Sequence, residues 1–480
     1  MYMRSLWKSV AQRCLVAFHF MLMVGVFLIC WIQYYKIPAE QGQFFAHDRT
    51  ICAAYILILF ALSRIYNCYK TGLFQVGELF YSQVMANLIS WGITYVLVCI
   101  MAQRIINPLA GFVAFGIQCV LSVLMIILMN RMYFQMHKPK KTLVLYRNES
   151  DLQKLAEIRN FARRWDVQQT VHCDAGSLHD LPAQETKTDA KIKDIHRLIE
   201  IMKDYDTVFV SGVNATLRNG IVKYCVETNK DCYFVPHTGD IITSGAIHMR
   251  SFSVPIFRAR RCKPSPEFLF LKRAFDVCAS LAALAVFSIP MLITAIIVKS
   301  YDGGPAFYKQ VRLTKDGKEF EILKFRSMRM DAEKDGVARL SSGDKDDRIT
   351  PVGKVIRAIR FDELPQLINI LKGDMSVVGP RPERPEIAAQ YAEILPAFHL
   401  RLQVKAGLTG YAQVYGRYNT EPQDKLKMDL MYINNIGVLE DVKLILATVR
   451  ILFMKESTEG IAEGQTTAMG ATEEREAERV

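Results

Sequence analysis

The chain has 480 residues, 51% of them apolar, and a net charge of +12. The apolar share, with several windows of about 20 residues nearly free of charge, excludes an ordinary soluble domain and marks a membrane protein. The basic excess lies along hydrophobic flanks and around one acidic stretch, with no long basic run and no nucleic-acid module, so it excludes nucleic acid and points to anionic lipid and phosphorylated ligands.

Residues 14–34, 51–66, 84–103 and 107–130 are expected to span the membrane as four helices, a unit covering 1–135. Their few internal polar residues, among them His19, Asn87 and Gln118, read as helix-packing contacts and not as a transport path. Arg4, Lys8, Arg13, Arg64, Lys70, Arg131, Lys138, Lys140 and Lys141 flank one side, against Lys36, Arg49 and Arg104 on the other, which puts both ends of the unit in the cytoplasm. The first segment is too long, and too far from a small-residue cleavage site, for a removable signal peptide. Of the 11 cysteines, Cys14, Cys30, Cys52, Cys99, Cys119 and Cys278 lie in apolar runs. The others show no C-x-x-C spacing, so reduced structural thiols are expected and a metal cluster is not.

From 141 to 260 strand-like runs (142–146, 170–173, 207–211, 232–236) alternate with helical ones (151–164, 190–203, 214–228), an order that predicts a parallel sheet with helices on its faces. The loop after the first strand, Arg147-Asn-Glu-Ser150, has no glycine to let backbone approach a pyrophosphate. A structural, dimerising or regulatory role is therefore expected for this domain.

Residues 274–298 are apolar apart from Asp276 and a few small polar residues, and as a helix would reach about 37 Å, enough to cross a bilayer. Ser288 and Pro290 mark a point where the helix can break. Next, 306–313 and 318–325 pair as a hairpin across Thr314-Lys-Asp-Gly317. Lys324 and Arg326 leave one face together, by themselves a solvated edge. Residues 331–347 read as a mobile charged loop, 383–404 as an amphipathic helix, 407–410 as a turn, and 424–434 and 438–454 as helices, the last apolar enough to lie on the bilayer. Asp429 lies on the helix over 424–434, where the residues alone leave a surface position and a site role equally open, and 457–480 is read as a disordered tail.

One stretch, Arg357-Ala-Ile-Arg-Phe-Asp-Glu-Leu-Pro-Gln366, concentrates the chemistry. Asp362 and Glu363 stand at the mouth of a short helix that Pro365 permits and Gly373 can close. A helix N-terminus suits phosphate, but a diphosphate beside two carboxylates repels them by about 4 kcal/mol per charge pair at 4 Å and an effective dielectric of 20. Arg357, Arg360, Arg381 and Arg384 can offset that, and an acidic pair facing phosphates is a natural Mg2+ site. The arrangement allows one carboxylate to attack a metal-bound phosphorus and form an acyl phosphate. Taken alone, an Asp-Glu pair need do no more than cap the helix.

The blocks Lys272-Arg-Ala-Phe-Asp276, Asp347-Arg-Ile-Thr-Pro-Val-Gly353, Phe361-Asp-Glu-Leu-Pro-Gln366, Leu371-Lys-Gly-Asp-Met-Ser376, Val378-Gly-Pro-Arg-Pro-Glu383 and Gly407-Leu-Thr-Gly-Tyr-Ala-Gln413, with Asp429, Tyr432 and Ile433, resemble the bacterial sugar transferases, the monotopic polyprenyl-phosphate hexose-1-phosphate transferases (phosphoglycosyl transferases). Two departures are visible: Ala406 stands where the family usually has proline, and Pro290 sits one residue late in the family's Ser-Pro pattern. The resemblance implies a membrane protein of three parts: the N-terminal four-helix transmembrane bundle, a cytosolic α/β Rossmann-like (CoA-binding-like) non-catalytic domain over 141–260, and a C-terminal α-rich monotopic catalytic domain over 268–456. In that domain 274–298 would be a re-entrant helix, broken near Ser288 and Pro290. It dips into the bilayer and returns, because a crossing would strand the Asp-Glu pair away from nucleotide-activated sugars.

By resemblance Asp362 is the nucleophile and Glu363 a Mg2+ ligand, Arg357 and Arg381 hold phosphates, and Lys324 and Asp429 orient the site. The implied reaction transfers a sugar-1-phosphate from a UDP-sugar, UDP-glucose or UDP-galactose, to undecaprenyl phosphate, releasing UMP through an aspartyl-phosphosugar. It would open exopolysaccharide, capsule or O-antigen repeat synthesis. The implied setting is the bacterial inner membrane, multi-pass, with the soluble parts and active site facing the cytoplasm and the chain a homodimer. Two other classes are weighed. A non-catalytic scaffold for polysaccharide assembly would need a degenerate acidic pair or arginines, and a membrane-tethered NAD-dependent enzyme would need a glycine-rich turn after a strand.

Overall fold

The computed structural model describes residues 2–36, 48–147, 152, 161–174, 177–182, 191–192, 195–249, 256–332, 346, 348–416 and 420–451. Most of the expected mobile loop at 331–347 and the whole expected tail lie outside the described residues. The chain divides into two compact units, Met1–Val235 and Pro236–Val480.

The first unit opens with four apolar helices, α1 (Tyr2–Cys30), α2 (Asp48–Ile65), α3 (Val76–Ala102) and α4 (Leu109–Met136). They cover the four expected spans with shifted ends. The third starts earlier than expected, at Val76, because Glu78 folds back to accept the Gln75 N–H at 2.9 Å. Among the described residues, Val10–Tyr35, Val76–Ala102, Leu109–Met136 and one later helix are long and apolar enough to cross a membrane. α2 has only 18 residues. Gln118 is fully engaged inside the bundle: it donates to the Met23 carbonyl (2.7 Å) and the Tyr55 hydroxyl (2.9 Å) and accepts from the Trp91 indole (2.8 Å), whereas the buried His19 ring packs edge-on against Tyr69 with neither nitrogen hydrogen-bonded to a described residue.

A sheet follows in the order β4-β3-β2-β1-β5-β6, with β1 Lys140–Tyr146, β2 Trp165–Asp174, β3 Ser177–Pro182, β4 Lys191–Ile192, β5 Thr207–Val210 and β6 Asp231–Phe234. The run β2-β1-β5-β6 is parallel, while β3 and β4 add an antiparallel edge that the sequence pattern does not announce. Alternation sorts the strands: Leu143, Leu145, Val208 and Val210 pack with Leu198 and Met202 of α5 (Ile195–Met202) and Ile221 and Cys225 of α6 (Ala215–Glu227), whereas Val144 and Phe209 pack with Trp165.

The second unit begins upstream of the boundary expected at 260. Ile241 of α7 (Thr238–Ser244) is buried with Val378, Tyr391, Leu426, Leu430 and Tyr432, residues far along the chain. After the small hairpin β7 (Ile247–Met249) and β8 (Ile256–Arg258) comes α8, Pro266–Asp302, 37 residues long. Ser265 caps its start by accepting the Phe268 N–H at 3.2 Å, Pro266 occupies the first turn, and Gly303 closes it in the left-handed region.

The break expected at Ser288–Pro290 does not interrupt α8, which stays helical through Pro290. Proline removes one backbone N–H, but Ser288 Oγ donates to the Ala285 carbonyl and Thr294 Oγ1 to the Pro290 carbonyl, both at 2.9 Å. Such back-bonding bends helices without ending them. α8 is pinned along its length to one body. Near its start Arg273 donates to the carbonyls of Ile370 (2.6 Å) and Leu371 (2.7 Å), and Asp276 accepts from Val377 N (2.9 Å) and Ser376 Oγ (3.1 Å). Near its end Val298 packs on Phe325 and Ile356, and Arg326 pairs with Asp302. Its other face leaves Leu281, Val286, Ile289, Leu292, Ile293 and Ile296 exposed.

The hairpin β9 (Phe307–Leu313) and β10 (Glu319–Phe325) forms as expected, with Lys324 opposite Tyr308. Beyond it lie α9 (Pro351–Ala358), a 3-10 turn at Phe361–Glu363, α10 (Gln366–Lys372), β11 (Ser376–Val378), α11 (Pro385–Ile394), a 3-10 segment (Pro396–Gln403), β12 (Gly407–Thr409), α12 (Tyr411–Tyr415), α13 (Pro422–Asn434) and α14 (Val438–Ile451). The single helix expected over 383–404 is thus two pieces, divided where Pro396 has no N–H to continue the ladder. β11 and β12 pair in parallel, joining the segments before and after these pieces.

Candidate active site

Arg360 adopts a left-handed conformation (φ 57°) between α9 and the 3-10 turn, sharply redirecting the chain. That turn buries Asp362 and brings Glu363 under Lys324 of β10. Glu363 Oε1 accepts from Arg381 Nη2 at 2.9 Å and from Lys324 Nζ at 3.2 Å, with Arg360 Nη1 at 4.0 Å. Asp362 is 8% exposed and accepts no hydrogen bond from the described residues. Arg357, one turn back on α9, forms no ion pair with them within 4.0 Å, and its charge acts on Asp362.

The two neighbouring carboxyls are driven apart. Burial, and then the Glu363 charge, raise the Asp362 pKa above the ordinary carboxylate value, against the pull of Lys324, Arg357 and Arg360. Burial also works to raise Glu363, but Arg381, Lys324 and Arg360 outweigh it and hold this carboxyl well below its usual range. Burial lowers the Lys324 pKa, with Glu363 opposing. One carboxylate is therefore committed to cations while its neighbour is left desolvated and without a hydrogen bond among the described residues, a division seen where adjacent acids take different roles.

Among the described residues no group of three or more His, Cys, Asp and Glu side chains is arranged to hold a metal. The two carboxylates still fit Mg2+, which is commonly held by one or two carboxylates together with substrate phosphates. Asp362 and Glu363 are the residues that would supply those oxygens.

Asp362, Glu363, Lys324 and Arg381 come together, with Arg357 beside them. Ser288 and Pro290 lie on the exposed part of α8, but the adjacent Phe287 meets Phe361 edge-on at 6.1 Å, so the apolar helix reaches the residue before Asp362. Asp429 is neither at the surface nor on the acidic pair. It is 1% exposed and its Oδ2 lies 2.7 Å from Arg401 Nη2. Arg401 and Lys425 also hold Glu383, at 3.4 and 2.8 Å. Burial favours a high Glu383 pKa, but Lys425 and Arg401 bring it down to about 2. Sequence reasoning passed over Arg401 and Lys425. The one visible signal is a lone arginine inside the apolar run Phe398-His-Leu-Arg-Leu402.

The loop carrying Arg381 runs against β12 and the residue after it at backbone contact. Gly379 N donates to the Thr409 carbonyl (2.8 Å) and Gly407 N to the Pro380 carbonyl (2.9 Å). A Cβ added at Gly407 would sit 2.0 Å from Gly379 N, and one at Gly410 2.2 Å from Gly379 O. Glycine is required there by the close approach itself.

A long apolar helix thus lies along a body that carries a buried acidic pair beside lysine and arginine. The bacterial sugar transferase family profile matches residues 268–455, and the chain belongs to that family. Over 192 residues it is 41% identical to a UDP-N-acetylgalactosamine-undecaprenyl-phosphate N-acetylgalactosaminephosphotransferase of Aeromonas hydrophila, covering 39% of this chain and 45% of that one. Over 191 residues it is 39% identical to a UDP-glucose:undecaprenyl-phosphate glucose-1-phosphate transferase of Caulobacter vibrioides, covering 39% of this chain and 71% of the relative. A Rhizobium leguminosarum bv. phaseoli exopolysaccharide production protein is 39% identical over 190 residues, 38% of this chain and 94% of its own length. The chain thus matches less than half of the Aeromonas protein and nearly all of the Rhizobium one.

Proposed function

We propose that this protein transfers a sugar-1-phosphate from a UDP-sugar to undecaprenyl phosphate. The observation that carries the reading is the buried carboxylate of Asp362, free of hydrogen bonds from the described residues, beside a Glu363 already claimed by cations. In the first step an Asp362 oxygen forms a bond to the β-phosphorus of the UDP-sugar as the bond to the bridging oxygen breaks, so UMP leaves with that electron pair. In the second step an oxygen of the lipid phosphate attacks the same phosphorus, the Asp362–phosphorus bond breaks, and the carboxylate is restored. Arg357 and Arg381 stabilise the phosphoryl oxygens, and Lys324 keeps Glu363 ionised and in place. Mg2+, when bound at Glu363 and Asp362, would add neutralisation of diphosphate charge.

α8 supports a site at the membrane surface. Residues 273–276 and 298–302 are both held by the same body, which supports a helix that enters and leaves one face of the bilayer; in this reading the active site faces the cytoplasm, the side that holds UDP-sugars. A soluble donor and a lipid acceptor can then reach the same carboxylate.

The test is UMP release by nanodisc-held protein with Mg2+ and undecaprenyl phosphate across a panel of UDP-sugars. Release with one donor is expected, falling on the order of a thousandfold or more in Asp362→Asn. Undiminished turnover in that variant would remove Asp362 as nucleophile, and no release from any donor would favour a scaffold for polysaccharide assembly.

A further inference from the structure

We propose that Arg401 is a positioning residue, setting the Arg381 side chain against Glu363 through the Arg381 backbone. The inference rests on the proposed reaction for its activity readout alone; its geometry stands apart from that reading.

Four consecutive carbonyls of the Pro380–Glu383 loop each accept a hydrogen bond. Backbone amides serve the two outer ones, Gly407 N to Pro380 O (2.9 Å) and Leu313 N to Glu383 O (3.0 Å). Arginines serve the inner two, Arg401 Nη2 to Arg381 O (2.7 Å) and Arg312 Nη1 to Pro382 O (3.2 Å). The carbonyl held by Arg401 therefore belongs to the residue whose guanidinium reaches Glu363.

Arg401 is itself fixed from several sides. Its Nη2 also meets Asp429 Oδ2 at 2.7 Å, its Nη1 lies 3.4 Å from Glu383 Oε1, and its guanidinium covers the Phe398 ring at 5.0 Å. Lys425 completes the group by donating to Glu383 at 2.8 Å. Arg401, Asp429 and Glu383 are almost wholly buried. Well-packed apolar side chains would hold a core at least as well as such a set of charges. A cavity of about 260 Å³ lined by Pro380, Arg381, Glu383, Phe398 and Arg401 lies against the loop, so close packing does not fix it on that side. There the charged group is what fixes it. Asp429, expected to orient the site directly, acts through Arg401.

The test is a double-mutant cycle with a second, activity-free readout. Arg401→Met and Arg401→Lys are each made alone and on an Arg381→Ala background. The kcat/KM for UMP release is measured, together with hydrogen exchange of peptides spanning 379–384. Each single Arg401 change is expected to lower kcat/KM between about ten- and a hundredfold, the scale of a small misplacement of a positioned group. On the Arg381→Ala background it should cost nothing further, and exchange in 379–384 should rise in both variants. An equal fold-loss on both backgrounds, or unchanged exchange in that segment, overturns the proposal. If Arg401→Met does not fold, Arg401→Lys, which keeps a cation for Asp429 and Glu383, carries the same cycle. A parent protein that releases no UMP would sink the proposed reaction, and the exchange measurement would then decide the positioning role by itself.

Discussion

Asp362 and Glu363 are neighbours in sequence with opposite electrostatic fates, and the difference has a measurable sign. The Asp362 pKa is raised by burial and by Glu363, and a nucleophile must be ionised, so UMP release should be full above that raised pKa and lost as pH falls through it. Glu363→Gln removes the negative neighbour and should move the acid limb of kcat/KM to lower pH. Lys324→Met removes a cation and should move it to higher pH. A shift in the reverse sense for either would contradict this account of the pair. Asp362, Glu363 and Arg381 were legible because short blocks of sequence carry them, whereas Lys324 stood out only as one face of a hairpin strand until the resemblance gave it a role. The group around Arg401 was not, since its partners lie 20 residues away at Arg381 and further off on α13, and no local pattern records a pairing over that separation. The residues alone left Asp429 open between surface and site for the same reason: helical spacing indicates a face, but not which body covers it.

At the level of elements, α8 shows both the reach and the limit of pattern. Its apolar length and its caps are plain in the sequence, and Ser265-Pro266 and Gly303 set its ends. Its partners are not plain there, since the contacts that hold both of its ends on one body are made with residues far along the chain. Single cysteines at Glu267 and Ser300, both exposed, in a background stripped of reactive thiols should be labelled by a membrane-impermeant maleimide from the same side, in inside-out vesicles only. Labelling of the two from opposite sides would establish a crossing helix. The break expected at Pro290 failed because proline forfeits one hydrogen bond, while neighbouring hydroxyls return bonds to the backbone and the helix persists. The two-piece form of 385–403, by contrast, was available from Pro396 and was outweighed by the amphipathic pattern on either side.

On the scale of the whole chain, the boundary between units falls after Val235, where sequence alternation continues unbroken. The tie that reassigns 236–249 is made with residues nearly 200 positions later: Asn434 Nδ2 donates to the Ile241 carbonyl, and Ile241 is buried against Leu426 and Leu430. A protein of residues 236–480 should therefore unfold at a higher temperature than one of 266–480, which loses that buried isoleucine, worth about 2 kcal/mol or more. Equal melting temperatures would show that α7 adds nothing to the catalytic body. That body is also joined internally where Gly379 meets Gly407 and Gly410, and the obstacle to any side chain there is main chain. A genetic lesion at one of these glycines has no suppressor among neighbouring side chains, because trimming a neighbour frees no space. Relief there takes a concerted shift of both segments, so a change at one of these glycines is expected to be felt across the whole join.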